Sequence, residues 1–230
     1  MVLPGMTAPI DPTTAPGPGD LAPTAFLDID EPSVVEFARS VTASCTDDAD
    51  RAAALFAEVR DRIWYDPHAI SHDPDDHRAS SVLAGRQRWC VPKSVLLSTA
   101  CRAVGIPARL GFADVRNHLQ STTLRERMGT DIFYWHGYSV LWIDGRWRKA
   151  SPAFNRELCE RFGTEPLDFD GHEDALLHAH TGDGSRHMEY LDHRGIYDDL
   201  PLEEIFASFE TLYDITEPGA DDDPMFASPS

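Results

Sequence analysis

Two runs rich in β-branched and aromatic residues, 133–143 and 146–153, flank the dipeptide Asp144-Gly145. A two-residue loop of this composition selects a type I′ turn, whose twist matches that of the strands it joins. Such a turn fixes register. Ile143 pairs with Arg146, and counting outward sets Tyr138 opposite Ser151, His136 opposite Ala153 and Tyr134 opposite Asn155. Because side chains alternate along a strand, His136, Ser151, Ala153 and Asn155 then project from one sheet face. Ser151 and Asn155 become diagonal neighbours of His136, within side-chain reach. Pro152 has no N–H to give the ladder, so pairing is expected to end or bulge there.

Upstream, Val95, Leu96, Leu97, Ala100, Cys101 and Val104 recur with helical periodicity, and Gly105-Ile106-Pro107 stops the pattern. Pro92 suits a first helical turn, where its missing N–H costs nothing. Cys90 therefore stands at a helix N-terminus. A helix end carries roughly half a positive charge, which lowers a thiol pKa, and a facing imidazole lowers it further. Alone, Cys90 reads as a small buried hydrophobe and His136 as an ordinary strand histidine. Together they supply the nucleophile and base of acyl transfer, with Ser151, Asn155 or Asp114 as alternative groups to orient the imidazole. The Cys90 N–H and Gln87 are the expected oxyanion donors, and Trp89, Tyr134 and Trp135 are candidate substrate contacts. Cys45 and Cys101 fit helix faces as core, and Cys159 has no assigned role.

The remaining chain bounds these readings. Residues 1–24, rich in Pro, Gly, Thr and Ala, are expected to be a disordered tail. They lack the basic start and apolar core of a secretory signal. Helices are expected over 32–41 and 48–65, a short one over 79–86, an extended run over 108–115, a capped turn at Thr123–Glu126 and a last helix over 201–212. One domain, 25–215, precedes an acidic tail, 216–230. The net charge of −19 argues against nucleic acid and anionic membranes as partners. No apolar run is long enough to span a bilayer. The widely spaced cysteines, without a CxxC pair, form neither a disulfide framework nor a zinc site, so a reducing cytoplasm is the default. The His- and Asp-rich stretch 68–77 reads as a solvated loop without ligand spacing. No metal or cofactor is expected, and the oligomeric state is not readable.

Cys90 with its helix, Arg102-Ala103-Val104-Gly105-Ile106-Pro107-Ala108-Arg109, Trp135-His136-Gly137-Tyr138 and Asp144-Gly145-Arg146-Trp147 together resemble the transglutaminase-like core. The resemblance covers about residues 80–155. It implies an α+β, papain-like architecture: N-terminal helices and a nucleophile-bearing helix packed on an antiparallel sheet that carries the histidine. It further implies cysteine-dependent acyl transfer or hydrolysis on a protein, peptide or small carboxamide substrate. The family usually places an aspartate four residues after the tryptophan of its third motif, where this chain has Ser151. That substitution leaves open a second reading, a catalytically impaired relative serving as a binding or scaffold domain.

Overall fold

The structure is a computed structural model describing residues 9–118, 120–178, 180–182, 184–213 and 226. Helices α1 (Pro32–Val41), α2 (Asp48–Arg62) and α3 (Ala79–Ala84) precede the central helix α4 (Cys90–Ala103). Pro32 opens α1 at its first turn, and the Asp47 carboxylate caps α2 by accepting from the Asp50 N–H. Helix α2 stops before residue 65, because Trp64–Tyr65 (β1) leaves to pair in parallel with Gln87–Arg88 (β2). The main sheet comprises β3 (Ala108–Asn117), β4 (Ile132–Ile143), β5 (Arg146–Ala150) and β6 (Met188–Tyr197), in the order β5-β4-β3-β6 with antiparallel neighbours. Short helices α5 (Thr122–Met128) and α6 (Arg156–Phe162) and the closing helix α7 (Leu202–Leu212) complete the described elements. Ser121 caps α5, two residues before the expected box.

Helix α4 is buried on every side from Cys90 to Arg102, so no solvated stripe appears in its sequence. It lies between the helices α1–α3 and the sheet strands β3 and β4. Its hydroxyls meet internal partners: Ser98 Oγ donates to Ser139 Oγ at 2.9 Å, and Ser139 Oγ donates to the Ser94 carbonyl at 3.0 Å. This chain of hydroxyls ties helix to strand without leaving a polar group dry.

The hairpin forms as the dipeptide requires. Asp144 and Gly145 have φ of 50° and 77°, and the ladder runs from Ile143↔Arg146 to Ser139↔Ala150. It ends at Ala150, so the expected pairings of Tyr138, His136 and Tyr134 with 151–155 do not continue as strand. Strand β6 was not expected: its Glu, Asp, His and Arg content matches a sheet edge that faces water on one side.

The expected N-terminal disorder does not hold for residues 9–24. Arg109 and Asp20 form a buried two-pronged ion pair at 2.7 and 3.0 Å, and the Ile10 N–H donates to the Ile196 carbonyl. The Arg102 fork reaches the carbonyls of Ala22, Ala108 and Asp198. Composition undercounts such a segment because two buried arginines, not apolar side chains, hold it. The 216–230 tail lies outside the described residues apart from Phe226. Replacing Asp20 with Asn leaves Arg109 buried without its counter-ion. Urea denaturation is expected to show a loss of about 3–5 kcal/mol, and Arg109→Met together with Asp20→Leu is expected to recover much of it.

Candidate active site

Cys90 begins α4, with Trp89 as the N-cap residue, and His136 lies on β4. The two are joined through Gly137. A Cβ at that position would stand 3.0 Å from both Cα and Cγ2 of Val91, so only hydrogen lets the first turn of α4 come this close to the strand. The backbone N–H groups of Gly137, Cys90 and Val91 turn toward the Cys90 sulfur. The phenols of Tyr65, Tyr190 and Tyr213 lie near enough to feel its charge.

Two opposing effects act on the thiol. Burial disfavours the thiolate, whereas the three amides and the Lys93 side chain favour it. Burial wins and pushes Cys90 up to about 11. The expectation of a thiol lowered by the helix end is thereby corrected: the amides are present, but Cys90 is only 5% exposed. Burial also pulls His136 down to about 4. At neutral pH the resting site holds a thiol and an uncharged imidazole.

The expected orienters of His136 separate clearly. Ser151 Oγ stands 3.0 Å from His136 Nε2, and both groups are buried. Asn155 turns away. Its Oδ1 accepts from the Tyr65 N–H, and its Nδ2 donates to the carbonyls of Arg60 and Ile63, so it closes the end of α2 rather than holding the imidazole. The buried Lys93 amine, whose pKa burial pulls well down, donates to the same two carbonyls. Asp114 is likewise engaged elsewhere, in a fork with Arg194 at 2.7–3.0 Å.

Asp114 marks a feature that the sequence did not reveal. Ala113 pairs with His136 and Val115 with Phe133, so β4 carries one extra residue opposite Asp114. This is a β-bulge. Trp135 takes the strain with φ of 58°, and its N–H donates to Asp114 Oδ1 at 3.2 Å. The Arg194 guanidinium centre lies 5.5 Å from the Trp135 ring centroid. The bulge resets the alternation, so Phe133 and His136 share a face and both line a cavity of about 240 Å³.

Of the expected substrate contacts, Trp135 is buried against Phe112 and Tyr197, and Trp89 packs on His77 and Phe209. Tyr134 packs on Tyr213, whose hydroxyl accepts its N–H. None of the three lines the cavity. Gln87 is exposed, and its carboxamide donates to Asp66. Phe154, Phe162, His187 and Phe226 do line the cavity, together with Tyr65. These residues were not singled out from sequence, because they come from chain segments brought together only in the fold.

The transglutaminase-like superfamily model matches residues 35–152, just over half of the chain. The chain belongs to the transglutaminase-like superfamily. The match spans Cys90, His136 and Ser151, whereas Asn155, Arg194 and most of the cavity wall lie beyond it. Among solved structures, similarity extends to a candidate cysteine protease from Cytophaga hutchinsonii, at 15% identity and a TM-score of 0.49. That alignment covers 81% of this chain and 48% of the other, so the chain spans about half that protein's length. The arylamine N-acetyltransferase from Mycobacterium abscessus is similar at 15% identity and a TM-score of 0.47, over 84% of this chain and 74% of that one. No curated protein matches. Among the described residues, no helix is long and apolar enough to cross a membrane.

Two outcomes follow from the geometry. Gly137→Ala is expected to cost about 1–3 kcal/mol through overpacking, seen as a lower urea midpoint, and to slow modification of Cys90 as α4 is pushed off β4. The second concerns pH. His136 has a pKa of about 4 when folded, against an ordinary 6.5. Between these values the unfolded chain binds the proton and the folded chain does not. Stability therefore rises with pH across this window and is lost as pH falls from 6.5 toward 4. The full effect is on the order of 3 kcal/mol. His136→Gln is expected to flatten the curve of urea midpoint against pH, with buried His77 and His187 accounting for the slope that remains.

Proposed function

We propose that the protein is a cysteine-dependent acyl-transfer enzyme, acting on a peptide or carboxamide by hydrolysis or by transfer to an amine. The carrying observation is His136, buried beside the backbone contact between β4 and the first turn of α4, with Nε2 held by Ser151 at 3.0 Å. If Nε2–H donates to the serine oxygen, Nδ1 is left unprotonated to take the thiol proton. The Cys90 sulfur then attacks the carbonyl carbon as its proton passes to Nδ1. The carbon–nitrogen bond breaks, and the imidazolium returns that proton to the departing amine. Water or an acceptor amine adds to the thioester with His136 again as base, and the thiol is restored.

A neutral resting pair fits general-base catalysis during attack rather than a preformed thiolate. The serine fits the same pattern. It orients the imidazole by a hydrogen bond but supplies no charge to hold a resting imidazolium. The same absence of charge favours the second reading, a fold kept as a binding domain, so the discriminating measurement must detect covalent chemistry. Incubation with p-nitrophenyl acetate is expected to add one acetyl group to Cys90, located by peptide mass mapping. Cys90→Ala should abolish it and His136→Ala should slow it by about 100-fold or more, whereas Cys101→Ala should leave it intact. Acetylation that ignores His136, or none at Cys90, would overturn the enzyme reading.

Ser151→Asp tests the orienting role. A carboxylate beside the ring favours the imidazolium and raises the His136 pKa from about 4. The expected result is a pH profile of acetylation altered in this variant but not in Asn155→Ser, with a lower melting temperature from the newly buried charge.

A further inference from the structure

Two backbone N–H groups inside the sheet lack the partners that a ladder would give them. His136 pairs with Ala113 and Phe133 with Val115, so neither Tyr134 nor Trp135 has a register partner on β3. Each N–H is met by a side chain instead. Trp135 donates to Asp114 Oδ1 at 3.2 Å, and Tyr134 donates to the Tyr213 hydroxyl at 2.7 Å. Backbone donors left without a partner away from water are rare, because they forfeit the bond that water would make. The two acceptors therefore stabilise the bulge, including the positive φ at Trp135, which a bulky residue rarely adopts. Backbone strain one residue before the base points to a functional constraint.

Both acceptors are themselves held. Asp114 is buried and forks with Arg194 at 2.7–3.0 Å. On β6, Gly195 pairs with Phe112 and His193 with Ala113, so Arg194 is an extra residue there, a second bulge across β3 from the first. Its guanidinium lies 5.5 Å from the Trp135 ring centroid and 5.9 Å from that of Tyr134. Tyr213, at the C-terminal end of α7, rests its ring on Tyr134 and Phe209 at 5.3 and 5.0 Å. Strands β3 and β6 and helix α7 thus all act on the same two residues of β4. The next residue is His136, which faces Ser151 Oγ at 3.0 Å and the Tyr190 ring at 6.3 Å. A slip of one residue in β4 would turn its side chain to the other face of the sheet.

We propose that Asp114 and Tyr213 are positioning residues for His136: they accept the N–H groups of Trp135 and Tyr134 and so hold the bulge that keeps the imidazole beside Ser151. Both act through the backbone rather than on the ring, and Arg194 fixes the carboxylate that does so. Positioning for catalysis rests on the acyl-transfer reading; the hold on the backbone does not.

The test reads His136 in the full chain in two ways, by the rate of Cys90 acetylation from p-nitrophenyl acetate and by nuclear magnetic resonance titration of the ring. Asp114→Leu removes the acceptor. Asp114→Asn keeps an oxygen for the Trp135 N–H and leaves Arg194 equally without its counter-ion. Tyr213→Phe keeps the ring and loses the hydroxyl. Asp114→Leu is expected to slow acetylation about 100-fold, as for a catalytic group misplaced by about 1 Å, and Asp114→Asn to recover most of the rate. Tyr213→Phe should slow it by up to about tenfold, the equivalent of one hydrogen bond. In a His136→Ala background none of the three should slow it further, since a group acting through the imidazole then has nothing to act on. The ring should titrate above about 4 in Asp114→Leu, as it leaves its buried place, but not in Asp114→Asn. Asp20→Asn, which weakens the fold elsewhere, should move neither reading. Further slowing in the His136→Ala background, an unmoved titration in Asp114→Leu, or the same losses in Asp20→Asn would overturn the positioning role. If Asp114→Leu does not fold, Tyr213→Phe decides, and acetylation unchanged in it overturns the role. If His136→Ala leaves acetylation unchanged, the enzyme reading falls, while the ring titration still decides the hold on the backbone.

Discussion

The rest of the structure depends on the contact between Val91 and Gly137. A helix terminus and a strand backbone meet there with space for a hydrogen and no more. That approach brings the N–H of Gly137, the residue that follows His136 on β4, to the Cys90 sulfur. The fold secures it from both sides. Behind the helix, Lys93 and Asn155 converge on the last carbonyls of α2, giving partners to groups that a helix end leaves unpaired. On the strand side, Ser98, Ser139 and Ser94 link α4 to β4. Asn155, expected to steady the imidazole, instead steadies the scaffold on which the cysteine stands.

Burial sets the electrostatics of the site. The helix end, three amides and the Lys93 side chain all favour a thiolate, yet burial pushes the thiol up to about 11. Proximity to positive charge decides a pKa only where desolvation is small. The neutral serine on the far nitrogen suits this environment. A carboxylate there would make the imidazolium cheaper but would itself need burial at a position 1% exposed. Serine and a low histidine pKa are thus two parts of one low-charge design.

How much was legible follows from where each signal resides. The Asp144-Gly145 turn is local, and a local signal fixed the β4–β5 register residue by residue. The helical period after Cys90 survived complete burial because Gly105-Ile106-Pro107 still marked its end. Ser151 reached His136 even though the ladder stops at Ala150, because side-chain reach exceeds strand pairing. The bulge at Trp135 left no mark in the sequence. A tryptophan gives no sign of positive φ, and its cause is a carboxylate on another strand, Asp114, held by an arginine on a third, Arg194. The packing of residues 9–24 was hidden for a related reason: Asp20 finds its partner, Arg109, far along the chain.

The bulge also joins the chemistry to the cavity. In a regular strand Phe133 and His136, an odd number of positions apart, would face opposite sides of the sheet. The extra residue opposite Asp114 returns them to one side, and register confirms it: their partners Val115 and Ala113 are two apart on β3 and share a face. Phe133 thereby becomes a wall of the same cavity that exposes an edge of His136. Asp114, first weighed as a direct partner of the imidazole, acts on it through geometry. It accepts the Trp135 N–H, stabilises a backbone conformation that tryptophan rarely adopts, and so determines which side of the sheet receives both the base and its apolar neighbour.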